Sequence, residues 1–265
     1  MSKILGIYNY CDYWCDRCAF TRRCGTYSMK IEEEAELRKK IRDKGRPDEE
    51  NAAFWNSIDG VLARTREQLD EITVSRFTDE AWGEYEEPDE AERASWQREQ
   101  DVIAEKVRVH PLTQTASKYM GLVAKWLETA QPDVAAATED MVARARVEFE
   151  GITGTARREF NELEEMIEVV LWYHTLLYPK TCRFVRDIVE DGPASGRAGE
   201  DTLGTAKLLL VSADRCIGAW LNLRQSLPSQ EDNILRFLSM LDNLRRGIEK
   251  ETPSARGYVR PGLDE

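Results

Sequence analysis

Apolar residues recur at intervals of three and four positions along the chain after residue 105. The first stripe of this kind consists of Leu112, Ala116, Tyr119, Val123, Trp126 and Leu127. The later stripes run over about 155–190, 203–221 and 234–248. A repeat with this period places apolar side chains on one face of an α-helix, and such faces must pack against each other. The sequence therefore predicts an all-α fold, a helical bundle with a short N-terminal cysteine-rich loop module.

Prolines mark several expected helix boundaries. Pro111 suits a first helical turn, and His110 before it is expected to be a capping or surface residue. Pro132 should end one helix and begin the next. Pro179 falls inside a longer helical pattern and is expected to kink it. The only segment with the character of a strand is KILGIYNY, residues 3–10.

The negative charge of the chain is concentrated in residues 31–105. This region holds eleven Lys and Arg residues and twenty-three Asp and Glu residues, so its formal net charge is −12. The whole chain has the same formal net charge, so the remaining residues are neutral overall. An acidic surface repels phosphate backbones, so we expect no nucleic-acid partner. The helical patterns in and around this region begin near residue 29, after Pro47 and after Thr78, with an interruption at Pro88.

These observations predict three regions along the chain. They are a cysteine-rich metal- or cluster-binding module over 1–28, an acidic helical region over 29–108, and a helical bundle with an extended C-terminal tail over 109–265. No apolar run reaches the roughly eighteen residues of a membrane helix, and the first residues lack the features of a secretory signal. We therefore expect a cytoplasmic protein with no membrane partner. Its expected partner is a redox or other protein that the sequence does not identify.

Four of the six cysteines lie in the segment YNYCDYWCDRCAFTRRC, residues 8–24. Their spacing is Cys11-x3-Cys15-x2-Cys18-x5-Cys24. In a reducing compartment such a group indicates metal binding or redox chemistry and not structural disulfides. Structural zinc sites usually have two Cys-x2-Cys pairs about a dozen residues apart, whereas this segment has one such pair. The compact spacing therefore favours a [4Fe-4S] cluster, with zinc as the alternative.

Two local spacings resemble those of known cluster-binding families. Cys15-x2-Cys18-x5-Cys24 is similar to the cluster triad of auxiliary SPASM domains and of the nucleases that process CRISPR spacers. That resemblance implies a four-iron, four-sulfur cluster whose remaining ligand comes from elsewhere, a position that Cys11 would fill. Cys11-x3-Cys15-x2-Cys18 also resembles the radical SAM signature, which would leave one iron open and Cys24 outside the ligand set. Against that second resemblance, the helical patterns predict no barrel, and Arg17 stands where that family usually has an aromatic residue.

Three further segments are recognisable beside the cysteine segment. They are HPLTQTASKYMGLVAKWL, LWYHTLLYPKTCRF and ARGYVRPGLDE. With the cysteine segment they resemble an uncharacterised bacterial family of helical proteins that carry an N-terminal four-cysteine motif. The resemblance implies no particular activity.

Aromatic residues crowd the cysteine segment. They are Tyr8, Tyr10, Tyr13, Trp14 and Phe20. We expect them to form a hydrophobic patch that docks the module onto the bundle, where the same rings would also shield a cluster from water. The other two cysteines, Cys182 and Cys216, lie within helical patterns and are expected to be reduced core thiols.

Two polar residues fall on or beside apolar stripes. His174 lies on the stripe of its helix, and Asp214 lies near the inward face of another helix. A buried pair of this kind can serve acid–base catalysis or fix the register of two helices. We expect His174 and Asp214 to lie close together, in a pocket with Tyr173 and Tyr178 as further lining residues.

The leading functional hypothesis is an iron–sulfur protein that acts in electron transfer or redox sensing. The two alternatives are a cluster-dependent enzyme with a pocket in the bundle, for which His174, Asp214 and Tyr173 are the candidate catalytic residues, and a zinc-stapled interaction module. For the cluster and for zinc alike, the expected ligands are Cys11, Cys15, Cys18 and Cys24.

Overall fold

The computed structural model describes residues 3–4, 7–43, 63, 89–149, 155–191 and 199–264. These residues form seven α-helices and no strand. In chain order the helices are α1 (Gly25–Asp43), α2 (Glu90–Val109), α3 (Pro111–Thr129), α4 (Gln131–Phe149), α5 (Thr155–Asp191), α6 (Glu200–Ser226) and α7 (Glu231–Glu251). The predicted all-α helical fold is therefore confirmed. Across this part of the chain, no helix combines the length and the apolar character that a membrane span requires.

The chain divides into two compact units. The first consists of residues 1–5 and 15–97, and the second consists of residues 6–14 and 98–265. Helices α3 to α7 all belong to the second unit, which holds the helical bundle. The short segment 6–14 is separated from the bundle in sequence but belongs to the same unit.

The predicted helix boundaries around α3 are confirmed. Pro111 is the first residue of α3, and the Nδ1 atom of His110 accepts a hydrogen bond from the Leu112 N–H at 3.3 Å, so the histidine caps the helix. The helix ends at Thr129, and Pro132 is the second residue of α4. A proline fits the first turn because the N–H that it lacks has no intrahelical partner there.

The core of the bundle lies where α3, α6 and α7 meet. Trp220 in α6 is fully buried, and its ring centroid lies 4.9 Å from that of Trp126 in α3 and 4.7 Å from that of Phe237 in α7. The Nε1–H of Trp220 donates a hydrogen bond to the Tyr119 hydroxyl at 2.9 Å. Aromatic pairs of this kind contribute about 0.5–1.5 kcal/mol each beyond the area that they bury. The apolar stripes of the sequence are thus the packed faces of the bundle.

The strand expected over residues 3–10 is not found in the described part of that segment. Ile7–Asn9 forms a 3-10 turn instead, with Ile7 buried. Ile4 donates a single backbone hydrogen bond, from its N–H to the Arg23 carbonyl at 3.0 Å. A strand needs a neighbouring strand to pair with, and the part of the chain that the structure describes contains none.

Two other expectations concern Pro179 and the C-terminal tail. Pro179 lies inside α5, which runs as one helix from Thr155 to Asp191. The C-terminal tail is not simply extended, because Ala255–Gly257 forms a 3-10 turn.

The helices expected after Pro47 and Thr78 fall on residues 44–88, which lie outside the described residues except for residue 63. Just beyond that stretch, α2 begins with a capping box. The Glu92 N–H donates to Asp89 Oδ1 at 2.7 Å, and the Asp89 N–H donates to Glu92 Oε2 at 3.0 Å. This reciprocal pair satisfies two backbone donors that would otherwise lack partners at the helix start.

Candidate metal centre

The cysteine loop of the first unit is built from two 3-10 turns that lead into α1. The turns are Cys15–Arg17 and Thr21–Arg23. The Cys18 N–H donates to the Cys15 carbonyl at 3.2 Å and closes the first turn. Lys3 ties the end of the loop down, because its Nζ donates to the Cys24 carbonyl at 3.4 Å. These two hydrogen bonds use main-chain carbonyls as acceptors and do not involve the cysteine sulfurs.

Two of the cysteine sulfurs accept hydrogen bonds from the main chain. The Phe20 N–H donates to Cys18 Sγ at 3.4 Å, and the Tyr27 N–H donates to Cys24 Sγ at 3.4 Å. Cys24 has an extended backbone and directly precedes α1, so its sulfur caps the helix as a serine or aspartate oxygen commonly does. N–H groups directed at sulfur complement the negative charge that a metal-bound thiolate keeps.

The remaining cysteine of this loop, Cys15, is affected by the charges around it. Burial raises the pKa of the Cys15 thiol, Lys30 lowers it, and the charges of Cys18 and Cys24 raise it further. Cys15, Cys18 and Cys24 are all partly exposed.

The donor set suits a soft metal. All six cysteines lie within the described ranges, and none of them forms a disulfide. Within those ranges, no three His, Cys, Asp or Glu side chains converge closely enough to hold a metal ion. Thiolates select zinc or iron–sulfur clusters over hard cations such as magnesium and calcium. The fit to a metal therefore rests on the identity of the donors and on the N–H groups directed at two of them.

Cys11 belongs to the segment 6–14 of the second unit. On the bundle, Cys11 is close enough to Lys180 for their charges to interact. Burial and the charge of Arg183 lower the pKa of the Lys180 ammonium, and Cys11 raises it.

The bundle binds the residue that follows Cys11. Asp12 Oδ2 accepts hydrogen bonds from the Tyr173 hydroxyl at 2.5 Å and from Arg215 Nη1 at 2.7 Å. The Asp12 backbone carbonyl accepts a third hydrogen bond from Trp172 Nε1 at 2.9 Å. Tyr173 is fully buried, and its burial, followed by the Asp12 carboxylate, raises the pKa of the phenol well above its usual range.

Aromatic rings reinforce this attachment. Trp14 stacks on Trp172 with a centroid distance of 5.2 Å and an interplanar angle of 15°, and it also meets the edge of Tyr173 at 5.8 Å. The Lys180 ammonium lies over the ring of Tyr13, 4.8 Å from its centroid. Of the five aromatic residues expected to dock onto the bundle, Tyr13 and Trp14 do so through these contacts.

The predicted pair of His174 and Asp214 is not formed, and that prediction is wrong. His174 is buried as expected, but its Nδ1 lies 2.8 Å from the Leu171 carbonyl in its own helix. Asp214 pairs instead with Arg256 Nη1 at 2.8 Å and lies 3.9 Å from Arg245 Nη1. The reason is that Asp214 lies on the face of α6 that meets α7 and the C-terminal tail, where two arginines neutralise its charge.

The other two residues of the predicted pocket, Tyr173 and Tyr178, also interact with other partners. Tyr173 binds Asp12, and the pKa of Tyr178 is raised by its neighbour Cys182. An open cavity of about 870 Å³ lies among α4, α5 and α6. Its lining consists of Ala137, Asp140, Glu162, Leu163, Met166, Asn222, Leu223, Gln225, Ser226 and Pro228, none of which was a candidate catalytic residue.

The outcome for the two remaining cysteines is divided. Cys216 is buried, as predicted for a core thiol, and burial raises its pKa to about 12. Cys182 is only partly buried, so its prediction as a core residue is wrong.

Sequence reasoning also missed Asp12 and Arg215 as bundle contacts. The one available signal was that Asp12 interrupts an aromatic and cysteine-rich segment with a charge.

The fold and the cysteine loop define a class of protein. The described residues form an all-α protein with four cysteines close together in the sequence, between residues 11 and 24. Comparison with protein-family models, with curated proteins and with solved structures found no match to this chain. The functional argument therefore rests on the chemistry of the chain itself.

Proposed function

We propose that this chain is an iron–sulfur protein that acts in electron transfer or redox sensing. Its ligands are Cys11, Cys15, Cys18 and Cys24, and its group is a [4Fe-4S] cluster. When bound, such a cluster supplies a one-electron couple. The observation that carries the proposal is the pair of backbone N–H groups directed at Cys18 Sγ and Cys24 Sγ, each at 3.4 Å.

These two hydrogen bonds support a cluster because sulfur is a weak acceptor. The Tyr27 N–H bond to Cys24 also caps α1, but the Phe20 N–H bond to Cys18 lies in the loop, which gains little from directing a donor at a neutral thiol. Donors of this kind stabilise the negative charge of thiolate ligands and adjust the potential of a cluster. Cys18 and Cys24 are partly exposed residues and are not packed in a core. Their chemistry therefore matches ligands better than structural thiols, which usually are buried and inert.

The charges of the first thirty residues support the same proposal. Basic residues outnumber acidic ones in this stretch, although the whole chain carries a net charge of −12. The basic residues are Lys3, Arg17, Arg22, Arg23 and Lys30. Four thiolates around a four-iron core carry excess negative charge, which neighbouring cations offset.

Metal analysis of protein purified without oxygen tests the proposal. We expect a brown protein with iron and acid-labile sulfide in equal amounts, about four of each per chain. The colour should bleach on reduction with dithionite. A colourless preparation with one tightly bound zinc per chain would contradict the cluster and would support the zinc-stapled module instead.

Cysteine variants test the ligand set. Replacing Cys11, Cys15 or Cys18 with alanine should remove or cripple the cluster, whereas Cys182→Ala and Cys216→Ala should leave the iron content unchanged. Cys24 needs a different variant because its sulfur also caps α1. Cys24→Ser keeps a helix cap and removes the soft ligand, so loss of iron in that variant cannot come from loss of the cap. A full cluster in Cys24→Ala, which has no donor atom at this position, would contradict the four-ligand set and favour three cysteines with one open iron.

A further inference from the structure

Helix α6 binds residues 7–14, which we call the strap, on one of its faces. Gly204 and Arg215 are separated by about three helical turns, so their side chains leave α6 in nearly the same direction. The ring of Tyr10 packs on Gly204, and Asp12 Oδ2 accepts a hydrogen bond from Arg215 Nη1 at 2.7 Å. All of these residues belong to the second unit.

A neighbouring face of α6 binds the C-terminal tail, residues 252–264. Lys207 and Asp214 are separated by about two helical turns and therefore also share a face, turned by roughly 60–100° from the first one. Lys207 Nζ donates to the Arg256 carbonyl at 2.5 Å, and Arg256 Nη1 donates to Asp214 Oδ2 at 2.8 Å. Ala255, in the turn of the tail, is fully buried. The strap and the tail thus lie on adjacent faces of one helix.

The strap and the tail also contact each other at Tyr10. Arg260 Nη1 donates to the Tyr10 carbonyl at 3.2 Å, and the ring of Tyr258 lies edge-on to that of Tyr10 with a centroid distance of 6.4 Å. The Arg260 side chain is only 12% exposed, and its Nε and Nη2 donate to the Asp264 carboxylate at 2.9 Å and 2.8 Å. This two-bond pair fixes the plane of the guanidinium, so that Nη1 is directed at the Tyr10 carbonyl.

The strap depends on such contacts because its own structure is irregular. Its regular element is one 3-10 turn, Ile7–Asn9. Tyr13 has a φ of 59°, a conformation that a residue other than glycine adopts at a cost. Irregular segments that are held by side-chain contacts open locally at a lower free energy than the helices of a core. The strap is therefore a segment that can leave the bundle without unfolding it.

We propose that the C-terminal tail is a catch for the strap. Arg260 and Tyr258 hold Tyr10, and when the tail leaves its face of α6 the strap is released while helices α3 to α7 stay folded. The coupling is reciprocal, because two segments that stabilise each other do so by the same factor. A partner that binds the tail therefore frees residues 7–14, Cys11 among them. This inference concerns the bundle unit alone and does not rest on the proposed function.

Hydrogen–deuterium exchange of the full chain, followed by mass spectrometry of peptic peptides, tests the catch. Arg260→Ala removes the hydrogen bond from the side of the tail, and Tyr10→Ala removes the ring from the side of the strap. Arg224→Ala is the matched control, because Arg224 forms its ion pair with Glu231, outside both segments. The exchange rates are compared for the strap, the tail, α3 and α7.

We expect the amides of the strap to exchange about tenfold faster in Arg260→Ala than in the wild type, because a hydrogen bond from a charged group to the strap is lost. In Tyr10→Ala we expect faster exchange of the tail, where the N–H groups of Tyr258 and Leu263 donate to the carbonyls of Ala255 and Arg260. The amides of α3 and α7 should keep their wild-type rates in both variants. Arg224→Ala should match the wild type in the strap and in the tail.

Two results would overturn the catch. The first is a wild-type exchange rate of the strap in Arg260→Ala or of the tail in Tyr10→Ala, since each substitution would then loosen only its own segment. The second is an equal rise of the exchange rates in the strap, α3 and α7. In that case the strap would be lost only when the whole bundle unfolds.

Discussion

The ring of Tyr10 lies directly against Gly204 in α6. A Cβ atom placed on Gly204 would lie 2.2 Å from Cδ1 and 2.3 Å from Cε1 of Tyr10, closer than real Cβ atoms approach their neighbours. The aromatic ring thus occupies the place that a side chain would take. This close approach is part of what holds the segment 6–14 to the bundle.

Gly204→Ala is therefore expected to destabilise the bundle unit. The added methyl group must displace the Tyr10 ring, and overpacking of this kind costs about 1–3 kcal/mol in the free energy of unfolding. Gly218→Ala is the matched control, because Gly218 lies in the same helix and nothing lies within 4 Å of its Cβ position. That variant should gain about 0.5–1 kcal/mol from helix propensity. Urea unfolding measures both, and equal effects of the two substitutions would contradict the contact.

The buried hydrogen bond between Trp220 and Tyr119 gives a second prediction. Tyr119→Phe leaves the Trp220 Nε1–H without a partner in the core, which should lower the free energy of unfolding by about 1–3 kcal/mol. Trp220→Phe removes the other partner. The double variant should be less destabilised than the sum of the two single variants, because the hydrogen bond can be lost only once. Additive effects in urea unfolding would show that the two groups do not interact.

The helices of the bundle were predictable because their signals are local. A stripe such as the one from Leu112 to Trp126 is visible within one helix, and Pro111 marks its first turn. The strand over residues 3–10 was predicted wrongly for a related reason. A short apolar run looks the same in a strand and in a buried turn, and only its neighbours decide between them.

The candidate metal centre was predictable only in part. The cysteine spacing is visible in the sequence, but the attachment of Asp12 joins it to Tyr173, which lies 161 positions further along the chain. Arg215 and Asp214 show why such long-range contacts are difficult to predict from the sequence. They are neighbours in sequence, yet they point about 100° apart around α6, so one binds Asp12 and the other binds Arg256. Nothing local to the sequence determines which of the two faces the segment 6–14.

The stack of Trp14 on Trp172 gives a third prediction. Trp14→Ala removes a ring that contacts both Trp172 and Tyr173, and we expect it to lower the free energy of unfolding by about 2–3 kcal/mol. Trp96→Ala is the control, since that ring is 60% exposed and its loss should change stability by no more than about 0.5 kcal/mol. A similar small effect of both substitutions in urea unfolding would mean that the stack does not attach the segment.

The buried thiol of Cys216 predicts how stability depends on pH. Burial raises its pKa to about 12 from an ordinary value of 9.0, and the Tyr119 hydroxyl lowers the pKa only in part. The thiol is neutral when protonated, so above about pH 9 the unfolded chain releases a proton that the folded chain keeps. The stability from this group is therefore complete below about pH 9. It falls by about 1.4 kcal/mol per pH unit as the pH rises towards 12.

Cys216→Ala isolates this contribution from that of other titrating groups. At neutral pH the variant should be less stable than the wild type, because it leaves a small cavity in the core. Its stability should then fall less steeply in alkali, because no thiol remains at that position. Between about pH 8 and pH 10.5 the wild type should lose roughly 2 kcal/mol more than the variant in urea unfolding. Parallel stability curves over that range would mean that the Cys216 thiol already ionises in the folded protein at its ordinary pKa.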